Sequence, residues 1–396
     1  KDANNPQTVN LTATGCTIDI ADTTNTQGMY ICAGVSGAFD LVGTDIIIPA
    51  AATAMHTNKG SVTVAYIVNS AEEFITAVSN ANVSAGDVII KLTADITLTD
   101  SITINNTNGK NITVDGAQGN ARHTLTITST GAGNHSIKVH QRSGNITFQN
   151  LNIVHGGDQM LLRMGEDKYD AGTERTLGVT LENMDITSTS TYKWCLMATQ
   201  DLGQFDIEMT NVDVDWNGDS NNTARAFLRS GKDAQNPQTV DFTAIGCTIN
   251  VADAAKTQGM NILAKVSGTF EFNDTDIVTS GAKTYTNNGT ATIISDADCT
   301  FIYKVDTVTE FTTALTNANA SAEAVTIKLA ANIQVENTKN TINNVNGKNI
   351  TIDGANGDDR YTLTLKEPNA HAILVHQASG VVTMQNLQLK HEEDGQ

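Results

Sequence analysis

The sequence predicts an all-β fold, a right-handed parallel β-solenoid built from tandem units. Three observations carry this. The chain repeats itself at a domain-sized period. Short alternating strands recur inside that period. Composition suits long sheets with polar turns, since aromatics are 5% and prolines number four while Asn, Thr and Gly abound.

The long period is read directly. KDANNPQTVNLTATGCTIDIADTTNTQGM, from Lys1, returns as KDAQNPQTVDFTAIGCTINVADAAKTQGM from Lys232. NGKNITVDG, Asn108 to Gly116, returns as NGKNITIDG, Asn346 to Gly354. IKVHQRSGNITFQNLNI, from Ile137, returns as ILVHQASGVVTMQNLQL from Ile373. The offset drifts between about 231 and 238 residues, as tandem copies with loop insertions do. The expected organisation is therefore 1–61 as the last coils of one unit, 62–297 as a complete unit, and 298–396 as the start of the next.

Within a unit the strands follow in order. ITFQNLNI starts at Ile146, VTLENMDI at Val179 and IEMTNVDV at Ile207. Each alternates with period two, and Asn150, Asn183 and Asn211 hold the same place in each. Spacings near 30 residues exclude hairpins and fit coils whose strands stack in parallel. Parallel crossovers set the right hand. Stacked Asn side chains at one turn are expected to hydrogen-bond each other.

One helix is expected per unit, over about 70–82 and about 307–319. Each opens with a capping box, Ser70-x-x-Glu73 and Thr307-x-x-Glu310. Each carries one apolar stripe, Phe74, Ala77, Val78, Ala81 and Phe311, Ala314, Leu315, Ala318. An amphipathic helix can cover the open end of a solenoid, so these read as N-terminal caps of each unit.

The order of capping helix, GDVIIKLTADI strand, NGKNITVDG turn and GNITFQNLNI resembles right-handed parallel β-helix proteins of the pectate-lyase-like class, and most of all the repeated modules of prokaryotic surface and adhesin-type proteins. That resemblance spans nearly the whole chain. It implies a secreted, cell-surface protein. Its enzymes act on acidic polysaccharides, with Asp ligands for calcium beside an Arg, or with Asp carboxylates beside a Gly-His-Gly turn. Neither set recurs here. His155-Gly156-Gly157 faces His391-Glu392-Glu393, Arg142 faces Ala378, and Asp358-Asp359 face Asn120-Ala121.

The remaining residues define the other expectations. A net charge of -19 repels nucleic acid and anionic membranes. No apolar run reaches a membrane span. Five cysteines without CxxC spacing argue against a disulfide frame or zinc, and read as buried thiols. DVDWNGDSNN places Asp213, Asp215, Asn217 and Asp219 like the opening of a calcium loop, although Ala224 stands where the closing acid belongs. His140-Gln141 recurs as His376-Gln377, a turn pair that could also meet a sugar. Sequons such as Asn82, Asn111, Asn145, Asn319 and Asn349 are frequent.

Scaffold is duplicated and catalytic groups are not. The expectation is a non-enzymatic extracellular structural repeat protein: a cell-surface stalk, sheath or filament with an adhesive role. Self-association and surface glycans are its expected partners, and calcium the one candidate cofactor. A glycan-binding adhesin proper and an acidic-polysaccharide lyase or hydrolase are the alternatives.

Overall fold

The computed structural model describes residues 6–14, 16–19, 29–32, 35–42, 45–47, 56–58 and 61–392, except 132, 134, 167–173, 193, 219–224, 232–236, 253–256, 337–339 and 367–372. Strands of successive coils pair in parallel, in register, along three ladders.

In the first ladder Val88, Ile112, Ile146, Val179, Ile207, Phe242 and Phe270 follow one another as register partners. In the second the row is Ile96, Leu125, Ile153, Ile186, Val214, Ile249 and Ile277. In the third it is Ile102, Ile137, Leu162, Met197, Leu228, Met260 and Tyr285. Apart from the half-buried Tyr285, every one of these side chains is buried. Alternation decides this: residues i and i+2 point into one shared core and those between face outward, except in the third ladder, where all of Cys195–Thr199 is buried. Each buried Ile, Val or Phe contributes roughly 1.5–3 kcal/mol. The core is therefore continuous along the rod and belongs to no single coil.

The Asn row sits at the corner between the first and second ladders. Asn150, Asn183 and Asn211 have φ of 51°, 51° and 53°. This left-handed conformation is costly for most side chains and tolerated by Asn and Gly. Asn183 donates through Nδ2 to Oδ1 of Asn150 at 3.3 Å, and Asn211 to Asn183 at 3.1 Å. Asn150 donates in turn to Asp115 at 3.1 Å. Gly246 and Asp274 continue the row with φ of 62° and 47°. The expected ladder of Asn side chains is present.

Among the described residues two helices form, α1 (Ala71–Val83) and α2 (Val308–Ala320). The Ser70 hydroxyl accepts from the backbone N of Glu73, while Glu73 reaches back to accept from Asn69 N at 2.8 Å. Thr307, Glu310 and Asp306 repeat the arrangement. The buried stripes are the ones the sequence marks.

The rod does not stop at these helices. The strand before α1, Ser61–Val68, pairs with Val35–Val42 behind it and with Val88–Leu92 beyond the helix. The strand before α2, Thr300–Val305, likewise bridges Asp276–Thr279 and Val325–Leu329. One ladder thus crosses each helix without a break. The third ladder is what the helices bound. Asn82 of α1 ties its start, donating to Thr103 O and accepting from Asn105 N. Asn317 of α2 donates to Gly281 O, just before the ladder's last strand, Tyr285–Asn287. A helix satisfies its own backbone and cannot extend a ladder, so it covers apolar surface on one side while the rod continues on another.

All five cysteines are free thiols. Cys195 and Cys247 are buried as expected, but Cys16, the counterpart of Cys247, is exposed. Burial pushes the Cys195 thiol up to about 12.

Candidate functional site

The repeated NGKNITVDG stretch proves to be corner scaffold. Asn106, just before it, donates to Ala81 O and Ser84 O at the end of α1, and accepts from Asn108 N and Lys110 N. Gly109 has φ 64°, and a Cβ there would lie 2.2 Å from Ser143 Oγ. Asn111 accepts from Asn145 N in the next coil, and Asp115 accepts from Ala117 N. The second copy repeats these bonds through Asn344, Asn349 and Asp353. The sequon amides Asn82, Asn111, Asn145, Asn319 and Asn349 are engaged in such bonds, so they serve the scaffold.

Above this turn, where the third ladder passes into the first, lies a groove of about 510 Å³ lined by Asn105, Asn108, His140, Arg142, Ser143 and Glu166. Three coils contribute to it. Its floor is rigid. Buried Arg175 donates through Nε to Asp201 at 2.7 Å and through Nη1 to the carbonyls of His140 and Gln141. Asp201 also accepts from Glu166 N at 2.5 Å. Removing either partner would strand a buried charge. Gln141 is fully buried and donates to Ser143 O at 2.7 Å and Lys110 O at 3.2 Å. Gln377 repeats the second bond to Lys348 O. The His-Gln pair is thus a turn staple whose His forms one groove wall.

His140 Nδ1 lies 3.5 Å from Glu166 Oε1. Burial pushes the imidazole down to about 4, Glu166 opposes this, and Arg163, Arg175 and Lys138 reinforce it. His140 is therefore neutral at neutral pH. Among the described residues, the groove offers planar amides, a neutral imidazole, one exposed guanidinium and one carboxylate. These are donors and acceptors for hydroxyl groups, held on strand ends.

Glu166, Arg175 and Asp201 were not marked by the sequence. They lie in coils with no second copy in the chain, so the repeat gives no signal for them. Arg142 lines the groove, where Glu166 is the one carboxylate among the described residues. His155 is buried inside the rod, its Nδ1 3.0 Å from Ser188 Oγ, and burial lowers it to about 4.

The candidate calcium residues lie elsewhere, on the outer side of the second ladder. Val212, Val214 and Trp216 point inward and Asp213, Asp215 and Asn217 outward, as alternation requires. Asp213 and Asp215 belong to an extended strand, Gly203–Trp216, which shows them from one side. Asp215 accepts from Asn250 Nδ2 at 3.3 Å. Asp219 lies outside the described residues. Among the described residues no three His, Cys, Asp or Glu side chains converge as metal ligands would. No described helix is long and apolar enough to cross a membrane.

A family model described as "Putative pectate lyase-like adhesive domain" matches residues 65–177 and 302–396, together just over half of the chain. The two matches start in the strands that precede α1 and α2. No curated protein and no solved structure gives a significant match.

Proposed function

Since the chain belongs to the pectate lyase-like adhesive domain family, we propose that it is a non-catalytic, extracellular adhesive rod. Its tandem β-helix units serve as a cell-surface stalk, sheath or filament, and the corner groove at His140 binds glycans. The groove is the observation that carries the glycan reading. It is polar, rigidly floored and lined by hydrogen-bonding groups suited to hydroxyls. Non-catalytic action is supported by the environments of the candidate groups. His155 is buried away from solvent, and Arg142 lines a groove that holds a single carboxylate among the described residues. The stalk or filament role is supported by the parallel pairing that passes each helix without a break, which makes a long object from short coils.

Glycan-array binding of the whole chain tests this, with Arg142→Ala as the probe of the groove. Arg142 is exposed, so the variant should fold normally. We expect at least tenfold weaker binding with an unchanged melting temperature. Undiminished binding would move the site elsewhere. Accumulation of unsaturated product from polygalacturonate would overturn the non-catalytic reading.

A further inference from the structure

The two junctions between units are built differently. At the first, Ser61–Val68 (SVTVAYIV) is a single strand with Phe39 paired to Val64 and Val64 to Val88, so the chain stays on one ladder. At the second, Thr290–Ile293 (TATI) and Ile302–Val305 (IYKV) match that strand position for position. Eight residues between them, Ile294–Phe301 (ISDADCTF), have no counterpart. Register supports the match, because Phe270, the copy of Phe39, pairs with Ile293.

The inserted residues build a corner. The Asp296 carboxylate accepts from the backbone N of Asp274 at 3.1 Å and of Asp298 at 3.1 Å. Cys299 Sγ donates to Thr275 O at 3.0 Å, and Thr300 N donates to the same oxygen at 3.1 Å. Asp274 ends the left-handed corner row, and the insert stacks one further corner on it through Asp296. The chain then emerges on the second ladder. Val278 pairs with Ile302, Phe301 with Val325, Val325 with Ile350 and Ile350 with Val382. Ile112–Asp115 therefore lies on the first ladder, while its copy Ile350–Asp353 lies on the second. The first ladder stops at Thr292–Ser295, where Ile294 is exposed.

We propose that Ile294–Phe301 turns the following unit by one face, so that matching corners of consecutive units, at His140 and at His376, point to different sides of the rod. The turn is a whole face, because a fractional shift would leave ladder N–H and C=O groups unpaired. The turn does not rest on the adhesive reading above.

Thiol cross-linking in the whole chain decides the turn. Cys16, Cys32 and Cys299 are replaced by Ser, and buried Cys195 and Cys247 are kept. Two outward pairs are then compared with dibromobimane, which fluoresces once it bridges neighbouring thiols. Val278→Cys with Ile302→Cys should bridge, since these are register partners. Glu271→Cys with Ile302→Cys should not, although the copied pair Asp40 and Ala65 are register partners. Deleting residues 294–301 should reverse the two results. Bridging of Glu271→Cys with Ile302→Cys in the undeleted chain would overturn the turn. Cross-linking as expected without binding on the glycan array would leave the turn standing and remove the adhesive reading.

Discussion

Replacing Asn183 by alanine tests whether the corner row holds the rod together. Two costs are expected. Alanine at φ 51° adopts a conformation that costs roughly 1–2 kcal/mol for an ordinary side chain. The bonds to Asn150 and from Asn211 are lost, at about 1 kcal/mol each. Asn183 is half-buried, so water recovers part of this. A total near 2–3 kcal/mol follows. Asn183→Gly separates the costs, because glycine accepts the left-handed backbone and loses only the bonds. It should be the milder variant by about 1 kcal/mol. Stacked coils do not unfold as a single two-state unit, so a global midpoint is a poor readout. Hydrogen exchange at the corner amides is better. Asn150 N, which donates to Glu182 O at 2.9 Å, is a suitable reporter. Its protection should fall in the order wild type, Gly, Ala. Equal protection in all three, or a glycine variant weaker than the alanine one, would refute the reasoning.

Three further outcomes are expected. His155 is neutral in the fold, with a pKa of about 4 against an ordinary 6.5, so its contribution is whole above pH 6.5 and lost as pH falls toward 4. The shift corresponds to about 3 kcal/mol, and His155→Gln should flatten this part of the stability–pH curve; an unchanged slope would count against it. Asp206 is raised by burial and then by its register partner Asp241, so its charge opposes folding once pH exceeds its unfolded value. Asp206→Asn should raise the melting temperature at pH 7 and leave it unchanged at pH 3, as paired melting scans would show. Asp213 and Asp215 approach a cation from one side only, so calorimetry should find calcium binding no tighter than about 10⁻⁴ M, abolished in Asp213→Asn; tighter binding would contradict the extended geometry.

The sequence alone determined what depends on neighbours along the chain. Alternation named the inward residues of each strand, from Ile146 and Phe148 to Val212 and Trp216. The spacing of Asn150, Asn183 and Asn211 announced a stacked corner because few other residues accept that backbone cheaply. Capping boxes and apolar stripes placed both helices to within a residue. Tertiary structure decided what depends on which coil lies above which. Asn108, His140 and Glu166 are some 30 residues apart in the chain and meet only because their coils stack. The helices look like terminators in sequence, yet a strand can pair across them once the chain has wound past. The eight residues at Ile294–Phe301 look like a loop insertion. Their effect, moving a copied strand to another ladder, exists only in the register of the stacked coils.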